Sequence, residues 1–337
     1  MPLGLSARDY LDPGVLSLER ERVFARSWQP AIDLSALEGP GSYAAAEVIG
    51  EPLVFTRDDQ DILRVHANVC RHRGGALAVG CGKRKSLQCR YHGWTYGLDG
   101  RLLHAPEMEG SEGFVPSELS LASVAADTWG PFGFVRMSSG PGPTLAETLG
   151  EIVPECAPWL TQALHKVARR DYSIDCNWKI YVENYLEGYH VPIAHPSLNR
   201  VIDYSSYRVE TRARHSLQHA PIKPITAQGA FAKYYWIHPN WMLNVYPDNL
   251  SINVVVPLGP AKCLTIFEWY FAEKGASEAI EKTVAFSDEI QKEDIGLCEA
   301  VQARLSSRFH QPGPLSALRE NGVAHFHGLL RADLRAL

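Results

Sequence analysis

The sequence predicts an α+β protein, with a small antiparallel β domain followed by a larger domain of mixed helices and strands. Three observations carry this. Over residues 40–140, short apolar runs alternate with Gly, Pro and Asp turns, as in Glu51-Pro52-Leu53-Val54-Phe55 and Gly130-Pro131-Phe132-Gly133-Phe134-Val135. Ser138-Ser139-Gly140-Pro141-Gly142-Pro143 reads as a linker. Beyond it, runs at 250–257 and 263–272 are rich in Val, Ile, Phe, Trp and Tyr and read as strands. Helices are expected at 7–28, 177–190 and 277–306.

A chain of 337 residues is long enough for about two domains. Hydrophobic residues make up 45% and charged residues 21%, which excludes wholesale disorder. The net charge of -5 argues against a general nucleic-acid binder. The start, Met1-Pro2-Leu3-Gly4-Leu5-Ser6, has neither the charge nor the apolar run of a secretory signal. No apolar stretch reaches membrane-spanning length, so neither membrane nor nucleic acid is expected as a partner and the cytoplasm is the expected location. Seven unevenly spaced cysteines do not suggest a disulfide framework and raise the question of metal binding.

The segment Cys70-Arg71-His72-Arg73-Gly74-Gly75 is followed, after a 16-residue gap between His72 and Cys89, by Cys89-Arg90-Tyr91-His92-Gly93-Trp94. Each half offers one thiolate and one imidazole. Two such loops can hold two irons, the cysteines on one and the histidines on the other, which raises the potential above that of an all-cysteine cluster. Gly74, Gly75 and Gly93 let the loops turn tightly. Zinc is the rival reading, but Cys70 and His72 are separated by a single residue, less than zinc pairs use. Cys81 reads as a bystander. These motifs resemble the Rieske domain of the Rieske non-haem iron oxygenases. The likeness extends from Arg26-Ser27-Trp28 through Asn68-Val69 to Leu98-Asp99-Gly100.

A second centre is suggested by residues 177–196. On a helix, Trp178, Val182, Tyr185 and Tyr189 form an apolar stripe, and Glu183, Glu187 and His190 share another face. Pro192 ends that helix, and the turn brings His195 back towards His190. Two histidines and one carboxylate on one side of an iron leave its other side open. In the C-terminal helix, Ile290, Asp294, Leu297, Val301 and Leu305 share a stripe. Asp294 is then a carboxylate in an apolar face, in need of a metal or a charged partner. Glu293 and Asp288 sit off that stripe and read as solvated charges. Taken singly, each histidine also fits a hydrogen-bonded core residue, and Asp294 also fits a residue rotated outward.

The Asn-Trp-Lys, Glu-Asn and Glu-x-Tyr-His-x-x-x-x-His pattern from Asn177 to His195 resembles the mononuclear iron motif of the same oxygenases. Glu293-Asp294 with Val301-Gln302 is similar to that family's C-terminal ligand segment. The resemblance implies His190, His195 and Asp294 as iron ligands, and Cys70, His72, Cys89 and His92 as cluster ligands. It implies that Glu187 is catalytic, bridging His190 to a cluster histidine, His92, across a subunit interface.

The resemblance spans nearly the whole chain. It implies a Rieske-type antiparallel β-sandwich domain over 27–138. It also implies a helix-grip (START/Bet v 1-like) catalytic domain with an antiparallel sheet, built from 1–26 and 139–337. The implied assembly is a head-to-tail homotrimer. The implied cofactors are a Rieske 2Fe–2S cluster and a mononuclear Fe(II). The implied activity is that of a terminal oxygenase using O₂ on a small organic molecule, as a mono- or dioxygenase. The chain carries no nicotinamide or flavin motif, so its electrons come from a ferredoxin or an NAD(P)H-dependent reductase. Glu187, a glutamate, resembles the choline monooxygenase-like branch, so choline- or betaine-like monooxygenation or demethylation stands beside aromatic ring hydroxylation. Aromatics between Tyr234 and Tyr246 suit a cation–π cage or an arene pocket, though core packing accounts for most of them. His325-Phe326-His327 reads as packing or surface. The alternative to an oxygenase is a Rieske electron-transfer or ligand-binding protein without oxygenase chemistry.

Overall fold

In the computed structural model, residues 2–160, 163–223, 231–275 and 277–335 are described. They fall into two units: Ala25–Leu145, and Met1–Phe24 with Ala146–Leu337.

The first unit is built from short antiparallel strands. β1 (Gln29–Asp33) opens it, then β2 (Ser42–Val48), β3 (Glu51–Arg57), β4 (Leu63–Ala67) and β5 (Cys81–Lys83). β6 (Ser86–Gln88), β7 (Thr95–Gly97), β8 (Leu102–His104), β9 (Ala125–Trp129) and β10 (Phe132–Arg136) complete it. They form sheets of order β1-β10-β9, β4-β3-β2-β5 and β6-β7-β8. Side chains on a strand alternate between faces, and β3 buries both. Leu53 and Phe55 pack with Ala44, Val65 and Val135, whereas Val54 joins Leu77, Leu87, Trp94 and Tyr96. The second cluster also contains Cys70 and Cys89, so the two Cys/His loops grow directly out of a core.

The second unit holds one seven-stranded antiparallel sheet. Its strands are β11 (His165–Ile174), β12 (Arg208–Thr211), β13 (His215–Pro221), β14 (Phe231–Ile237), β15 (Trp241–Val245), β16 (Asn249–Gly259) and β17 (Lys262–Phe271). The order is β11-β17-β16-β15-β14-β13-β12: six successive strands form a meander, and β11 adds to its end beside β17. The aromatic-rich run of the sequence sits here. Trp236 and Trp241 are fully buried in the core.

The helix expected over 7–28 is instead three pieces: α1 (Ala7–Leu11), α2 (Pro13–Glu19) and a π-helical turn Arg20–Phe24. Pro13 has no amide to continue α1, and Asp12 caps the next helix by accepting from the Gly14 amide at 2.8 Å. Glu19, at the end of α2, is fully buried. It accepts from Lys179 Nζ at 2.6 Å and Trp178 Nε1 at 2.8 Å. Burial pushes the Glu19 carboxyl up and the Lys179 ammonium down, and their mutual attraction opposes both shifts.

The chain continues through α3 (Leu145–Leu149) and α4 (Ile152–Leu160) to β11 and the segment from Asn177. The helix expected over 177–190 ends early, as α5 (Trp178–Tyr185), capped by the Asn177 side chain on the Lys179 amide at 3.0 Å. The Glu187 carboxylate takes the amides of Tyr189 and His190, which diverts the backbone from a further helical turn. Gly188 packs where a Cβ would meet the Tyr207 ring at 2.6 Å. Tyr189 is therefore off any helical stripe and exposed. Two short helices follow, α6 (Val191–Ala194) and α7 (Pro196–Val201), each with a proline in its first turn. The long helix is α8 (Glu278–Leu305), and α9 (Asn321–Arg335) closes the chain. α8 packs on α5 and β11, and α5 packs on β16 and β17.

The stripe expected on α8 is displaced by about one residue. Its buried positions are Ile280, Val284, Gln291, Cys298 and Leu305, while Leu297 and Val301 are exposed. The His325-Phe326-His327 segment lies on α9, where Phe326 and His327 are buried, the latter donating from Nε2 towards Glu183 Oε1 at 2.9 Å.

Candidate metal centres

In the first unit, the two loops close in the same way. The Cys70 amide donates to the Gly75 carbonyl at 2.9 Å, and the Gly74 amide donates to the Cys70 carbonyl at 2.9 Å. The Cys89 amide donates to the Trp94 carbonyl at 2.9 Å, and the Gly93 amide donates to the Cys89 carbonyl at 3.0 Å. Gly74 and Gly93 both hold φ at 75°, the left-handed region that a side chain disfavours. Gly75 is required for another reason: a Cβ there would lie 2.8 Å from Cys89 Sγ.

Cys70 and Cys89 are buried, while His72 and His92 are exposed, with ring centroids 4.5 Å apart. His72 stacks on Trp94 at 4.9 Å, and His92 on Tyr91 at 3.8 Å. The Arg71 amide donates to the Tyr96 hydroxyl at 3.1 Å, which leaves the hydroxyl proton for Cys70 Sγ at 3.4 Å. A donor aimed at sulfur favours a thiolate. Two inner sulfurs and two outer imidazoles fit a 2Fe–2S cluster with mixed ligands. Cys81 is exposed on β5, outside the two loop turns.

In the second unit, His190 Nε2 lies 3.1 Å from His195 Nε2. Asp294 Oδ1 lies 2.9 Å from His195 Nε2 and 3.6 Å from His190 Nε2. The remaining ring nitrogens meet carboxylates: His190 Nδ1 faces Glu187 Oε1 at 2.5 Å, and His195 Nδ1 faces Glu293 Oε2 at 2.6 Å. An imidazole that donates from Nδ1 turns its Nε2 lone pair outward. Two such lone pairs at 3.1 Å repel unless a cation lies between them. The donor set therefore fits a divalent metal held by two histidines and one carboxylate. Burial opposes charge on His195, but hydrogen bonds to Asp294 and Glu293 outweigh it and hold its pKa above the ordinary histidine value. Metal binding at Nε2 competes with that proton.

Two assignments of charge change. Glu293 is not a solvated charge, since it orients His195. Asp288 accepts from the Tyr172 hydroxyl. Glu183 does not share a face with His190: it accepts from Tyr10 at 2.7 Å and pairs with His327, tying α1 and α9 to α5. Asn184 also enters the site, donating to Asp294 Oδ1 at 2.6 Å. In the sequence it is the second residue of the Glu-Asn pair that carries part of the resemblance, with no role assigned to it there. Glu293 and Asp294 are adjacent acids, and only the rotation of α8 separates their roles.

A cavity of about 550 Å³ opens beside the site, lined by His190, His195 and Asp294 among others. Aromatic rings form much of its wall, including Tyr181, Tyr207, Tyr234, Tyr246, Phe267 and Trp269.

Residues 27–123 match the family described as Rieske [2Fe-2S] domain. Residues 161–228 and 204–335 match the family described as ring hydroxylating alpha subunit (catalytic domain). The chain is 32% identical to the choline monooxygenase of Arabidopsis thaliana chloroplasts, over 97% of this chain and 82% of the relative. It is also 32% identical to the carnitine monooxygenase oxygenase subunit of Escherichia coli K12, over 97% of this chain and 92% of the relative. The crystal structure of the quaternary ammonium Rieske monooxygenase CntA with L-carnitine superposes with a TM-score of 0.88 at 27% identity, covering 99% of this chain and 96% of that one. Naphthalene 1,2-dioxygenase from Rhodococcus shares the fold, with a TM-score of 0.78 at 18% identity, covering 98% of this chain and 94% of that one.

Two outcomes follow. Gly75→Ala lowers cluster occupancy, read by visible absorbance and acid-labile sulfide, while iron at the second centre stays loaded. Glu293→Gln weakens iron binding at the second centre by about 10–100-fold, read by dialysis against a chelator, with the cluster retained.

Proposed function

The chain belongs to the Rieske ring-hydroxylating oxygenases, and on that premise we propose that it oxidises a small quaternary ammonium compound. It is a terminal oxygenase, an oxidoreductase that uses O₂ and takes electrons from a ferredoxin or reductase to act on a small molecule. Its cofactors are a Rieske 2Fe–2S cluster and a mononuclear iron. When bound, the cluster supplies single electrons and the iron supplies the open face where O₂ and substrate meet.

We assign Cys70, His72, Cys89 and His92 to the cluster, and His190, His195 and Asp294 to the iron. The domains we propose are 27–138 for the cluster, and 1–26 with 139–337 for catalysis. The contact division between Phe24 and Ala25 and between Leu145 and Ala146 supports them.

One observation carries the substrate reading: the cavity at the iron ligands combines aromatic walls with acidic groups. Glu187, Asp248 and Asp294 line it, and its one cationic lining residue among those described, Lys282, is paired with Glu278 at 2.7 Å and largely exposed. Ring faces and carboxylates both favour a cation that cannot shed its charge. The relatives that act on choline and carnitine support the same class. Apolar side chains such as Leu198, Val201 and Ile202 line the same cavity and exclude water from the reacting carbon. Asn184 holds Asp294, and Glu187 and Glu293 hold the two imidazoles in one tautomer.

We propose that Glu187 also bridges His190 to His92 of the partner subunit in a head-to-tail homotrimer. Its carboxylate already contacts His190 Nδ1 and the amides that shape the loop. All seven cysteines are free, which supports a reducing compartment, and we propose the cytoplasm. No helix among the described residues is long and apolar enough to cross a membrane.

The reading is tested with holoenzyme, a surrogate reductase and NADH, following O₂ consumption and product formation together. Choline or carnitine is expected to give an oxidised ammonium product in step with NADH. An arene diol without any ammonium oxidation would overturn the substrate class. Two irons rather than three per chain would favour a carrier without oxygenase chemistry. Separately, Glu187→Gln, supplied with excess Fe(II) so that both centres are loaded, is expected to lower turnover by at least about 100-fold, by loss of a positioned carboxylate. Full activity in that variant refutes the bridging role.

A further inference from the structure

The cavity wall formed by β16 carries a polar row. Asn249, Ser251 and Asn253 alternate along the strand, line the cavity and are buried. Their hydrogen bonds differ. Ser251 Oγ accepts from Asn244 Nδ2 at 3.0 Å, and Asn244 Oδ1 accepts from the Tyr185 hydroxyl at 2.6 Å. Asn249 Nδ2 donates to Asp248 at 2.8 Å, and its Oδ1 is buried without a partner. Two further cavity carboxamides are also engaged: Gln218 with Tyr207 and the Tyr185 carbonyl, and Gln291 with Tyr181 and Thr265.

Asn253 stands apart. It is 3% exposed, its Oδ1 is buried and unmatched like that of Asn249, and, unlike Asn249, its side chain makes no hydrogen bond with any described residue. In the strand register it lies opposite Phe267 on one side and Met242 on the other, neither of which offers its side chain as a hydrogen-bond partner. A buried carboxamide left unmatched is costly, and in a binding cavity its natural partner is the ligand.

We propose that Asn253 is a specificity-determining residue that hydrogen-bonds a hydroxyl group of the substrate. This rests on the ammonium reading above and narrows it to ammonium alcohols. A neutral carboxamide donates and accepts at once, as a hydroxyl does. A carboxylate would call for a buried cation, and the one cationic residue among those described along the cavity is Lys282, exposed and paired with Glu278.

The test compares choline with ethyltrimethylammonium, the same cation without its hydroxyl, using kcat/KM of the reductase-coupled holoenzyme and Kd by calorimetry. The wild type is expected to favour choline by about 10-fold or more. Asn253→Leu loses far more on choline than on the analogue, so the ratio falls towards one. Asn253→Asp, nearly isosteric and still an acceptor, keeps the preference. Should the leucine variant not fold, Asn253→Ala is read by the same ratio. An unchanged ratio in the leucine or alanine variant, or an equal loss on both cations, overturns the hydroxyl contact. Wild-type binding of both cations with equal affinity overturns it as well, leaving the ammonium reading intact. Binding of neither overturns the ammonium reading and this inference with it.

Discussion

The catalytic centre depends on one electrostatic constraint. Two imidazoles have their Nδ1 atoms taken by carboxylates, so their Nε2 lone pairs must point at each other across 3.1 Å. Such an arrangement is stable only around a cation or a proton. Helix α8 supplies both halves of the answer on the His195 side: Glu293 meets Nδ1 and Asp294 meets Nε2. Adjacent residues on a helix differ by about 100° of rotation, so one register sets both contacts. That register is pinned by polar contacts along the helix. Gln291 accepts from Tyr181 at 2.6 Å, and Gln302 accepts from the Asn177 amide at 2.8 Å. The metal site is thus tied to the start and the middle of α5.

The cluster loops solve a different problem with the backbone. Each loop turns back on its cysteine carbonyl through a hydrogen bond donated by the amide of a left-handed glycine, and each cysteine amide closes on a carbonyl five residues later. The sulfurs sit inside an apolar core, and the imidazoles remain at the surface. Burial of sulfur and exposure of nitrogen would give the two irons of a bound cluster unequal surroundings.

Much of this was legible because metal chemistry restricts residue type and spacing. Cysteine and histidine two residues apart on one loop and three apart on the other, with glycine close behind, have few other uses. The pair His190 and His195 was legible for the same reason, with Pro192 between them to force a turn. The strands were legible because β-branched and aromatic runs between turn residues suit a pleated, buried surface. The length of α5 was not. Periodicity continued to Tyr189, but the Glu187 carboxylate competed for the next amides and Gly188 packed against Tyr207. Local side-chain bonds and a tertiary contact overrode the helical pattern. The apolar stripe of α8 was misplaced for a related reason: Gln291, a polar residue, is buried because Tyr181 and Thr265 satisfy it.

By itself, the sequence determined the inventory: which atoms can bind metal, the order in which the chain supplies them, and the antiparallel α+β class that carries them. Only the tertiary structure decided how those atoms are paired. Glu293 and His195 are 98 residues apart, and nothing local in either segment selects Glu293 over its acidic neighbours. The same holds for Asn253, whose lack of a side-chain partner is visible only once the strand register has set what stands beside it. Ligand type follows from the chemistry of single side chains, whereas hydrogen-bond partnership follows from helix rotation and strand register, which packing across the whole domain sets.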